Sequence, residues 1–175
     1  MTAATRSGPN LSLAITGAVL AAAIGGIAWA VIVVKSGYEV GFVAWGIGIF
    51  AGFMVAFLGK GISVRVQVIA VLSAGVGILI GKYVTFVHEL RMAADKVGLD
   101  HTFGYIAGDS FRLFRENLGD VFSFHDVLWI GLAIVSAWRI AEMTGERFFP
   151  VAPPTPRAEH PHARSVGAVT PGRAR

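Results

Sequence analysis

The chain has no cysteine, which excludes disulfides, thiolate metal sites and a cysteine nucleophile in any redox compartment. Charge is scarce as well: 15% of its 175 residues are Asp, Glu, Lys or Arg, against 54% that are apolar. A soluble domain carries about 25% charged residues, and a mean hydropathy of +0.64 makes lipid the expected solvent. Short motifs that announce chemistry are missing too. There is no Gly-rich phosphate loop followed by Lys and Ser or Thr, no GxSxG elbow and no HExxH. The net charge of +4 does not point to nucleic acid, because the basic residues are spread through turns and the C-terminal tail rather than gathered on one face.

Long apolar runs are what the sequence does have. Leu11 to Val34 is free of charge, and roughly 20 residues suffice to cross the hydrocarbon core as a helix. A signal peptide cleaved after Ala21, Ala22 and Ala23 is the competing reading, but the run continues past any such site, which favours a retained span. A turn over Lys35 to Glu39 leads to a second span, 40–58, closed by Gly59, Lys60 and Gly61. The third is expected at 66–86. The fourth, 124–141, reaches spanning length if Asp126 and Arg139 sit at the two interfaces, with Trp129 and Trp138 as anchors near opposite ends. The expectation is an all-α integral membrane bundle of four transmembrane helices, one domain over 11–149. A polar arm, 1–10, precedes it, with Ser7, Gly8, Pro9 and Asn10 as helix-start signals. A Pro- and Arg-rich tail, 150–175, follows and is expected to be disordered, since little in it is apolar enough to offset chain entropy.

The outer loop, 90–124, is the largest extramembrane piece. Phe86, Leu90, Ala93, Ala94 and Val97 keep helical spacing, so the third helix is expected to run on until Gly98 stops it. A separate amphipathic helix follows, capped by Asp109, with Phe111, Phe114, Leu118 and Val121 on one face and Arg112, Arg115 and Glu116 off it. Such a helix can lie flat in the interface, fold over the bundle as a lid, or receive a partner. Four crossings put nine Lys and Arg residues on the side of the termini and six on the other, a bias that predicts both termini in the cytoplasm.

Small residues recur every fourth position along each span. Ala44, Gly48, Gly52 and Ala56 form such a groove on the second span, and Gly17, Ala21 and Gly25, Ser73, Gly77 and Gly81, and Ala133, Ala137 and Ala141 do so on the others. These stripes either hold the four helices together or leave the second-span groove for a homodimer. Lys82 is a charge inside an apolar run; it either snorkels to the headgroups or pairs with Asp126 at the start of the fourth span, with Glu89 as the alternative partner. His88, Glu89, His101, His125 and Asp126 share one predicted side and have the composition, though not the spacing, of a metal site.

The segments GFVAWGIGIFAGF (Gly41 to Phe53), GILIGKYV (Gly77 to Val84) and DVLWIGLAIVSAWRIA (Asp126 to Ala141) resemble those of a group of small, uncharacterised bacterial four-span membrane proteins. The resemblance covers the spans, not the outer loop or tail, and implies a bacterial plasma membrane location without implying any activity. The expected role is therefore that of a noncatalytic membrane protein with no cofactor, packing against itself or a membrane partner through small-residue faces. A small transporter or channel formed by an oligomer is the alternative.

Overall fold

The structure, a computed structural model, describes residues 8–38, 41–98 and 103–150. The rest of the N-terminal arm and the tail from Val151 onward, where disorder was expected, lie outside the described residues. Six helices follow in order: α1 (Leu11–Ser36), α2 (Phe42–Gly59), α3 (Val64–Lys96), α4 (Gly108–Glu116), α5 (Leu118–Val121) and α6 (Phe124–Phe148). Among the described residues there is no strand, and α1, α2, α3 and α6 are each long and apolar enough to cross a membrane. The class is an all-helical bundle of four membrane-length helices, with α4 and α5 in the connection between the last two.

Local chemistry sets the helix ends. The Asn10 side chain accepts the Leu13 N–H at 3.1 Å, and the Asn10 N–H donates to the Gly59 carbonyl at 2.8 Å, so the start of α1 lies beside the end of α2. Gly37 closes α1 with φ +68°, a left-handed conformation that glycine adopts without a Cβ penalty. The Ser63 hydroxyl accepts the Val66 N–H at the start of α3. From there α3 runs 33 residues, about 50 Å at 1.5 Å per residue, whereas the hydrocarbon core is about 30 Å thick. It is therefore about 20 Å longer than that core, and Gly98, with φ +74°, follows its end. The fourth spanning helix continues past Ala141 to Phe148.

Two expectations for the outer loop need correction. Asp109 does not cap α4: Ala107 occupies that position without a side-chain hydrogen bond, and Asp109 lies in the first turn, where a negative charge still suits the helix dipole. Nor is the amphipathic stretch one helix. The Asn117 side chain donates to the Leu113 carbonyl at 2.8 Å, and the chain breaks there, leaving Leu118 and Val121 on the single turn of α5. The expected amphipathic helix is itself present as α4, which carries Phe111 and Phe114.

Around the bundle, α1 packs on α2 and α3, and α6 packs on the same two helices from the opposite corner, while α2 and α3 touch across the middle. The interior is built of small residues. Ala14, Ala21, Ala51, Ala56, Ala70, Ala74, Ala137 and Ala141 are fully buried, and the large aliphatics, such as Ile15, Val19, Ile27, Leu72 and Val135, face outward. This is the arrangement expected in lipid, where no hydrophobic force separates interior from surface and close backbone approach supplies the attraction.

The stripes are where that approach happens. Ala44, Gly48, Gly52 and Ala56 are all buried; a Cβ on Gly52 would stand 2.5 Å from the Ala137 carbonyl oxygen, and one on Gly48 would overlap the Ala133 backbone. The α2 groove is thus filled by the alanine stripe of α6 from the same chain. A Cβ on Gly17 would meet the Met54 carbonyl at 2.7 Å, and the Ser73 hydroxyl donates to the Ala18 carbonyl at 2.7 Å, so the other stripes are also spent within the bundle.

Candidate functional site

The polar centre of the molecule is Lys82, which is only 2% exposed. It sits on α3 eighteen positions after Val64, about 27 Å along the helix, near the end where α1 stops and α6 begins. Its side chain does not reach outward to the headgroups but turns into the bundle. Nζ donates to Asp126 Oδ2 at 2.9 Å and to the Val121 carbonyl at 3.0 Å. The faces of Phe122 and Trp29 lie 5.3 and 5.8 Å from it, within the range where an aromatic quadrupole attracts a cation. One ammonium thereby joins α1, α3, α6 and the chain that leads into α6.

Each partner is positioned by local sequence. Asp126 is the third residue of α6 after the N-cap Ser123, and its Oδ2 accepts the Ser123 N–H at 2.7 Å and the Ser123 hydroxyl at 3.0 Å as well as Lys82. The carboxylate thus caps its own helix and neutralises the ammonium with the same oxygen. Trp29 can lie over Lys82 because the preceding residue on α3 is Gly81, where a Cβ would stand 2.6 Å from Trp29 Cγ. The indole Nε1 is buried without a hydrogen-bond partner among the described residues.

Beside this centre opens a cavity of about 450 Å³, walled by Val33 and Gly37 at the end of α1, Thr85 and Glu89 on α3, and Asn117 and Asp120 from the connection. Glu89 and Asp120 are exposed, and the Thr85 hydroxyl is turned back to the Gly81 carbonyl at 3.0 Å. The wall thus sets two exposed carboxylates beside the buried pair of Lys82 and Asp126. A second cleft, about 710 Å³ and almost wholly apolar, lies on the other flank of the connection between α3 and α4.

Of the residues singled out in sequence, Lys82 and Asp126 are brought together and the α2 stripe is brought against α6. The histidine and carboxylate set is not assembled: among the described residues no three of His, Cys, Asp and Glu stand close enough to hold a metal ion. Asp126 is taken by Lys82, the His88 ring lies 3.5 Å from the Tyr105 hydroxyl, and His101 is outside the described residues. Sequence reasoning missed the Val121 carbonyl, Phe122 and Trp29. Only Trp29 had a signal, the glycine next to Lys82, which makes room for a large ring. The chain matches no family model, and neither a curated protein nor a solved structure is similar to it.

Proposed function

We propose that the chain is a noncatalytic multi-pass protein of the bacterial plasma membrane, with both termini cytoplasmic, whose bundle holds a binding surface at its outer end. The location rests on the distribution of Lys and Arg and on the resemblance of the spans. The role rests on one observation: the buried Lys82 ties the last residues of the outer connection, Val121 and Phe122, to α3 and α6. Holding a charge in the membrane is expensive, about 2.5 to 3.5 kcal/mol for a lysine at the helix centre, and here it fixes a connection flanked on both sides by clefts.

Because the α2 stripe is filled by α6, a membrane partner or second copy would meet the large side chains facing lipid, or the outer end, rather than that groove. The bundle below Lys82 is closed by Ala51, Val55, Ala70 and Ala74, which speaks against a solute path through one chain. The test is photocrosslinking in native membranes with a reactive residue at Ile106 on the outer connection and, separately, at Gly46 on α2. A discrete adduct from Ile106 alone is expected. Solute flux in proteoliposomes above that of empty vesicles would reject the reading in favour of a transporter or channel.

A further inference from the structure

The apolar cleft has features that the polar centre does not use. Its floor is one face of α3, with Val76, Leu79 and Tyr83 at helical spacing, and its roof is the segment entering α4, with Ile106 and Phe111. Phe114 anchors that roof, packing edge-on against Tyr83 and Phe86 with ring centroids 5.2 and 5.6 Å apart. The cleft nevertheless stays open, with Ile106 99% exposed and Phe111 and Leu79 exposed beside it. With Val66 at the inner edge of a hydrocarbon core about 30 Å thick, Val76 lies about 15 Å and Tyr83 about 25 Å along α3, in its outer half. The floor is therefore at acyl-chain depth, and α4 lies where headgroups begin.

One charged side chain, Arg115, lines this apolar space. Its neighbour Arg112 faces Asp109 and Glu116 at 3.7 and 3.9 Å, whereas Arg115 has no ionic partner among the described residues. An exposed guanidinium at headgroup depth above an apolar trough matches an anionic head on an apolar chain, and guanidinium binds phosphate through two parallel hydrogen bonds. A polypeptide strand laid in the same trough would leave backbone N–H and C=O groups unsatisfied within the hydrocarbon. The volume, about 710 Å³, lies within the roughly 300 to 1,000 Å³ of sites that enclose small molecules.

We propose that this cleft binds one anionic glycerophospholipid of the surrounding leaflet, an acyl chain lying on Val76, Leu79 and Tyr83 beneath Ile106 and Phe111, and the phosphate against Arg115. The assignment deepens the reading of the outer end as a binding surface and rests on it. The experiment is native mass spectrometry of the full chain in detergent, titrated with dioleoyl phosphatidylglycerol and, in parallel, dioleoyl phosphatidylcholine.

One retained phosphatidylglycerol per chain is expected, held in preference to phosphatidylcholine. Arg115→Ala should weaken it at least about tenfold, equivalent to about 1.4 kcal/mol, and Leu79→Trp should remove it by filling the trough. Phe111→Ala opens the roof, removing one ring contact with Tyr83 but adding no bulk to the trough, and should weaken both lipids, which keeps the test decisive if the tryptophan variant does not fold. Arg139→Ala, a change at an exposed arginine paired with Glu142 on α6, should leave binding unchanged. Equal retention by wild type, Arg115→Ala and Phe111→Ala would overturn the proposal, as would equal loss with Arg139→Ala. A dimer that Leu79→Trp dissolves, with no lipid retained, would assign the cleft to a second copy instead. If lipid retention fails while the Ile106 crosslink persists, the lipid alone is rejected; if both fail, so is the outer-end reading.

Discussion

Replacing Lys82 and Asp126 singly and together tests whether their pairing holds the outer end of the bundle. Removing one partner of a buried ion pair typically costs about 3 to 5 kcal/mol, because the other charge is left without compensation. Each single change leaves the surviving group some of its other partners, which offsets part of that cost. Lys82→Met leaves an Asp126 carboxylate that still accepts from the Ser123 N–H and hydroxyl, and methionine fills most of the vacated volume, so a loss at the low end, about 2 to 3 kcal/mol, is expected. Asp126→Asn leaves an ammonium that is 2% exposed and still donates to the Val121 carbonyl, and should likewise cost about 2 to 3 kcal/mol. In the double variant neither half of this contact remains. A coupling energy of about 1.5 to 3 kcal/mol should therefore appear between the two sites, the range for a hydrogen bond to a charged group. The measurement is reversible unfolding in bicelles, followed for wild type, both single variants and the double. Additivity within about 0.5 kcal/mol would refute the reasoning.

Three further outcomes follow from the packing and the topology. Gly52→Leu should destabilise by more than about 3 kcal/mol, beyond ordinary overpacking, because its first carbon already meets the Ala137 carbonyl at 2.5 Å; Gly46→Ala, with nothing within 4 Å of the new carbon, should be neutral by the same unfolding assay. Trp45→Phe removes the 2.8 Å hydrogen bond from the indole to the Ser136 hydroxyl and should cost about 0.6 kcal/mol, the average for such bonds between membrane helices; a loss above about 2 kcal/mol would mean that the bond does more than join α2 to α6. A reporter fused after Arg175 should be active on the cytoplasmic side and one inserted at Gly104 on the opposite side. The same compartment for both would remove the fourth crossing.

The spans were legible because lipid imposes a length and a composition on any helix that crosses it. The pairing of Lys82 with Asp126 was legible in part for the same reason: a charge within an apolar run must reach water or find a partner, and Asp126 opens the helix that returns at that depth. What decided between those routes was not in the local sequence. Lys82 turns inward because Trp29, fifty-three positions earlier, and Val121 and Phe122, some forty positions later, close around it, and no periodicity reports such distant neighbours. The α2 stripe was legible as a close-packing face, while its occupant was not, since four stripes of equal spacing do not say which two will meet. Asp109 and the continuous helix after it were misread for a local reason. A helix-start residue two positions late looks like a cap, and the competition of the Asn117 amide for the Leu113 carbonyl is weak as a pattern though sufficient to end a helix.

The same packing bears on the choice between a binding protein and a channel. A channel formed by several copies needs a polar lining contributed by surfaces that are free in one copy. On α1 those surfaces are mainly Ile15, Val19, Ile24, Ile27 and Val31, with Ser12 and Thr16 near its start, and on α6 mainly Val127, Leu128, Leu132 and Val135, with Arg139 further along. A pore made from these faces would be a hydrophobic constriction along much of its length and would exclude water. Several polar groups of the spanning helices are engaged within the bundle: Ser73 with Ala18, Trp45 with Ser136, and Lys82 with Asp126 and Val121. An oligomer assembled through these lipid-facing sides would therefore bring aliphatic faces together, and on the proposed reading recognition belongs to the outer end, where loop, charge and cleft adjoin.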